Sequence, residues 1–202
     1  MTWIKETLQT YCDSKDLPDV RLPDVEVDTG SIRAVLINDT VADKEAGDFY
    51  DGDTGPARAL IAHFNRAGIK VRTPKDLLFM GIYVTNALKV PGKKGTVEKS
   101  VLKSHAFLLN HELALFDNLE VIMVNGRLAI SALNHITREL SGEKILPDEP
   151  IYLMRRKTIR YGDIRILPSY ALTGANLAID KSRLTMIRAD IETLMRLLSK
   201  NP

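Results

Sequence analysis

Apolar and polar positions in this chain recur with two different periods, and the switches between them mark out its elements. Trp3, Ile4, Leu8 and Tyr11 lie close to helical spacing and predict a short amphipathic helix over 2–12. Residues 13–29 lose that periodicity. Pro18, Pro23 and a scatter of acidic side chains there predict an extended connector wrapping the core. An apolar run over 33–37 predicts the first core strand. It turns polar at Asn38-Asp39-Thr40 and continues as an Asp-rich loop to Gly55-Pro56. Leu60, Ile61 and Phe64 then share one face of a helix over 57–67, with Pro56 suited to its first turn and Gly68 as its stop.

A second buried strand is predicted within 77–85, ending at Asn86, followed by a Gly- and Lys-rich loop over 89–95. Thr96 is placed to cap a helix reaching about Phe116. The third strand, over 119–124, turns at Asn125-Gly126 into a helix carrying Leu128, Ala129, Ala132, Leu133 and Ile136. Two extended pieces are expected next, over 151–156 and 163–167, with a turn at Tyr161-Gly162-Asp163. Asp180 is an N-cap for a closing helix whose stripe runs from Leu184 through Ile187, Ile191 and Leu194 to Leu198. Strand–helix alternation repeated three times predicts an α/β fold, a three-layer sandwich with a mostly parallel central sheet flanked by helices. Residues 1–30 form an N-terminal helix and arm, and 31–202 the α/β domain, within a single globular unit.

The composition narrows the class further. A chain of 202 residues, 45% hydrophobic and 27% charged, is ordinary for one soluble globular domain. A net charge of +2 means that any basic surface must be local. The one cysteine, Cys12, allows no intrachain disulfide and no multi-cysteine zinc or iron–sulfur site. No apolar run reaches membrane-spanning length and the first residues lack a signal-peptide core, so a cytoplasmic protein is expected. His63, His105, His111 and His135 show no metal-ligand spacing, and neither a metal nor a cofactor is expected. No GxGxxG or P-loop string follows a strand, which weakens a nucleotide-using reading.

In open α/β sheets ligands bind where loops leave the carboxyl ends of the strands. Three such ends carry suggestive chemistry: Asn38-Asp39, Asn86 and Ser169-Tyr170. Asn86 has a carboxamide that can donate and accept together, although Asn at a strand end also forms turns. Asp39 offers a carboxylate at such an end, or closes an Asx turn. Tyr50 can stack on a ring or pack beneath its loop. Lys89, Lys93 and Lys94 suit phosphate contact, while Arg155, Arg156, Lys157 and Arg160 form a second cluster. Basic runs are also common as solvated faces.

The order of these motifs resembles the uracil-DNA glycosylase superfamily, above all its thermostable-type branches, from about residue 32 to residue 198. Asn38-Asp39-Thr40-Val41-Ala42 stands where the family has Gly-Glu-Ala-Pro-Gly. The loop after it keeps three glycines (Gly47, Gly52 and Gly55) with Tyr50 at the family's Phe position. Thr85-Asn86-Ala87-Leu88-Lys89-Val90 matches Thr-Asn-x-x-Lys-Cys, Gly126 with Ala129 matches Gly-x-x-Ala, and Ser169-Tyr170-Ala171-Leu172-Thr173 matches Thr-Tyr-His-Pro-Ser. The resemblance implies a base-excision DNA repair hydrolase that cleaves the N-glycosidic bond of a flipped uracil or deaminated base. It implies Asp39 as the polar catalyst, and Tyr50, Asn86 and Asn38 around the base. Ser169, Tyr170, Ala171 and Thr173 would form a pocket wall, the segment from Leu172 to Leu177 a wedge in the duplex, and Lys89, Lys93 and Lys94 the DNA contacts. Val90 replaces a cluster cysteine, so no iron–sulfur cluster is expected. Ala171 replaces the histidine that steadies the departing base, which leaves open a weakly active or inactive nucleic-acid or nucleobase binding module.

Overall fold

The computed structural model of the chain describes residues 1–41, 48–91, 97–173 and 180–199. A short strand β1 (Thr2–Trp3) leads into helix α1 (Ile4–Ser14) and pairs antiparallel with β2 (Glu26–Val27). The core elements then alternate: β3 (Ala34–Val41), α2 (Gly55–Arg66), α3 (Lys75–Phe79), β4 (Ile82–Pro91), α4 (Lys99–Leu113), β5 (Val121–Asn125) and α5 (Arg127–Ser141). The chain closes with α6 (Ile151–Met154), β6 (Ile159–Tyr161), β7 (Ile164–Ser169) and α7 (Lys181–Ser199).

The five-stranded sheet runs β4-β3-β5-β7-β6, parallel except for β6. Helices α4 and α5 pack together on one face, with α1 outside α4; α2 and α7 pack together on the other. This is the α/β three-layer architecture that the alternation predicts. Both faces of β3 are covered, which is why Ala34, Val35, Leu36 and Ile37 are all buried and show no alternation. Ile4, Leu8 and Cys12 of α1 join the same hydrophobic cluster as the sheet, so the N-terminal arm is part of the core.

Three elements differ from the sequence expectation. The run from Leu77 divides: Leu77–Phe79 lies in α3, and the strand begins only at Ile82, after the left-handed Gly81. The strand also continues past Asn86 to Pro91, because β3 extends to Val41 and gives it a partner through a register shift at Thr40. Residues 151–154 form a helical turn started by Pro150, with Met154 buried beneath it. The strand expected there lies at β6, joined to β7 by the tight turn Gly162-Asp163, where Gly162 takes φ +57°. Asp180 caps α7 through Arg183 N–H, as expected. Thr96 lies outside the described residues.

Candidate functional site

The register of the parallel strands aligns the last residues of β5 and β7 with polar residues inside β3 and β4. Asn38 of β3 is the partner of Asn86 on β4 and of Asn125 on β5, and Asn125 is the partner of Ser169 on β7. In-register residues of neighbouring strands point to the same face, so one polar row crosses the sheet where the apolar runs end. A cleft of about 630 Å³ opens over this row. The order of connections reverses at β3, which has β4 on one side and β5 on the other, and such switch points are where open α/β sheets hold ligands.

Asp39, one residue on, points to the opposite face and meets the start of α5. Its Oδ1 accepts hydrogen bonds from Leu128 N–H (2.9 Å) and Ala129 N–H (3.0 Å), two of the donors a helix N-terminus leaves unpaired. Gly126 makes this approach possible. Its φ is +116°, and a Cβ there would lie 2.4 Å from Asp39 Oδ2. Burial pushes the Asp39 carboxyl above its ordinary pKa, and the Ala129 and Leu128 N–H groups pull against that shift. Among the described residues, Oδ2 accepts no hydrogen bond. One oxygen of Asp39 is anchored, and the residue lines the cleft.

Tyr50 is 2% exposed and forms part of the cleft lining. Its hydroxyl donates to Val84 C=O (3.0 Å) and accepts from Val84 N–H (2.8 Å). That closes a gap on the open edge of β4 and fixes the ring. Asp48 holds the start of this turn by accepting from Tyr50 N–H and also takes Asp24 N–H, tying the loop to the N-terminal arm. Asp48 is thus a structural acceptor. The carboxamide of Asn86 lines the cleft and has no hydrogen-bond partner among the described residues.

The other expected site residues divide. Ala171, Leu172 and Thr173 line the cleft, with the Leu172 side chain buried rather than projecting as a wedge. The Leu172 carbonyl accepts from His63 Nε2 (2.9 Å), which fixes the proton on that nitrogen. Ser169 and Tyr170 do not line the cleft. Ser169 donates to Asp190 (2.7 Å), which also binds Arg155, and Tyr170 lies under the Arg183 guanidinium. Lys89 cannot contact DNA: it is 0% exposed, on the α4 face of β4, with Nζ 2.5 Å from Glu112 Oε2. Lys93 and Lys94 lie outside the described residues. Of the second basic cluster, Arg155 and Lys157 are engaged by Asp190 and Glu149.

Two contributions were not read from the sequence. Asn125 looked like a turn residue, although the recurrence of Asn after the apolar stretch of three core strands was a legible signal. The arm supplies a whole wall, from Val20 to Asp24 together with Lys5, and only tertiary packing brings it there. Among the described residues the lining carries two cations, Lys5 and Arg21, against Asp24, Asp39, Asp48 and Asp51. The charges of the described lining therefore match a neutral or cationic group better than a phosphate. No three or more His, Cys, Asp or Glu among the described residues are grouped to hold a metal ion, and no helix among them is long and apolar enough to cross a membrane. Comparison with protein-family models and with curated proteins finds no match for this chain.

Proposed function

We propose that the cleft receives a nucleobase swung out of a nucleic-acid strand, and that the protein is an N-glycosylase of the uracil-DNA glycosylase type acting on a deaminated base. One observation carries this reading: the carboxamide of Asn86, without a partner among the described residues, and the half-anchored carboxylate of Asp39 line one cleft together with Tyr50. The carboxamide pairs with a base edge, and the ring of Tyr50 offers an apolar wall. In the reaction, Asp39 Oδ2 orients a water molecule toward the sugar C1′. The C1′–N bond breaks, the water oxygen bonds to C1′, its proton passes to the carboxylate, and the base leaves with the bonding pair and is protonated from solvent. The same carboxylate steadies the positive charge that develops on the sugar.

The test is release of free base from oligonucleotides carrying uracil, hypoxanthine or xanthine, read by alkaline cleavage of the abasic site. Release from at least one substrate, abolished in Asn86→Ala, is the expected result. A second reading, base binding without turnover, is favoured by Ala171, which brings no donor to the departing base. Losing one such donor commonly costs about 10²–10³ in rate. Saturable base binding with no release at high enzyme would select it, and no binding of any base would exclude both.

A further inference from the structure

We infer that Asn125 is a second base-reading residue, and that its carboxamide oxygen selects deaminated bases over their amino parents. The inference rests on the cleft being a nucleobase site. Asn125 is 0% exposed, lines the cleft, and donates from Nδ2 to Asn38 Oδ1 (3.2 Å). Its Oδ1 is buried and has no hydrogen-bond partner among the described residues. A buried acceptor left without a donor is unfavourable, and in native proteins it commonly marks a place where another group supplies the hydrogen.

In the structure the Asn125 carboxamide faces Asn38 with its nitrogen. Nδ2 gives one hydrogen to Asn38, and Oδ1 is the carboxamide atom left for an incoming donor. Deamination changes what a base offers to such a group. The ring nitrogen beside the amino carbon of cytosine or adenine is an acceptor; in uracil or hypoxanthine the same nitrogen carries a hydrogen and donates. An acceptor fixed at Asn125 repels the first pair and binds the second. Asn86 cannot make this distinction by itself, because its unpartnered carboxamide can turn to suit either edge. The two residues flank Asn38 across adjacent strands, each step about 4.8 Å, so the floor spans roughly the width of a base.

The experiment titrates the full chain with free uracil and hypoxanthine and with their ring-N-methylated counterparts, which lack the donor. Wild type is expected to prefer the unmethylated base. Asn125→Leu should reduce that preference by about tenfold, the scale of one hydrogen bond. If the leucine variant shows no cooperative thermal transition, Asn125→Ala should give the same change. Wild-type binding with a preference unchanged in these variants overturns the role of Asn125 while leaving the nucleobase site standing. Absence of any wild-type base binding overturns both.

Discussion

Asp39 shows how one residue serves two structures. Its anchored oxygen completes the N-terminus of α5, and the residue also lines the cleft. Burial makes the charged form unfavourable in the fold, so ionised Asp39 costs stability at neutral pH. Asp39→Asn can keep both backbone hydrogen bonds through its carbonyl oxygen. A thermal melt at pH 7 should therefore show the variant as stable as wild type or more so, while base release is lost. A clear drop in melting temperature would overturn this account. Because burial raises the Asp39 pKa from its ordinary value, release should fall on acidification before an exposed aspartate would protonate, as a pH–rate profile will show. Gly126→Ala tests the approach from the other side. The added methyl group must displace the Asp39 carboxylate, and the left-handed backbone is strained for alanine, so a loss of about 1–3 kcal/mol is expected in denaturant unfolding. The polar character of these positions was legible in the sequence. That Asp39 would sit on the start of a helix some ninety residues later was not.

The strand β4 separates function from stability by its two faces. Val84 and Asn86 face the cleft, whereas Tyr83, Thr85 and Lys89 face α4. On that hidden face the Glu112 carboxylate accepts from Tyr83 and Thr85 and meets Lys89, so every member of a buried polar set has a partner. Lys89→Met leaves Glu112 charged and buried without its cation, which should cost about 3–5 kcal/mol in denaturant unfolding. Lys89→Met combined with Glu112→Leu should recover most of that loss, and a double variant no better than the single would refute the pairing argument. The motif reading of Lys89 failed for a simple reason: a lysine in a Gly- and Lys-rich stretch looks exposed unless its strand is known to continue. Only the pairing of β4 with the far end of β3 extends that strand and carries Lys89 into the interior.

For the molecule as a whole, two buried histidines set the acid limit. Burial, reinforced by the nearby Lys89 charge, lowers the His105 pKa to about 4, and burial also lowers that of His63. Both are favoured neutral in the fold. Their contribution is complete above the unfolded value of 6.5 and is lost as pH falls through the folded values. Asp39 and Asp190, raised by burial, act with the opposite sign and gain from protonation. For His105 the difference is on the order of 3 kcal/mol between pH 7 and pH 4. His105→Gln, a neutral amide that can still accept from Lys89 N–H, should melt with a shallower pH dependence over that window. An unchanged slope would place the acid sensitivity elsewhere. Across these scales, the sequence alone determined the alternation of strands and helices, hence the parallel three-layer class, because local hydrophobic period follows local backbone geometry. It also marked the polar strand ends that become the cleft floor. Tertiary structure alone decided which of those ends share the cleft, that the N-terminal arm walls it, and which charges are buried. Those outcomes depend on strand order, register and length, and contacts between residues distant in the chain leave no periodic trace in it.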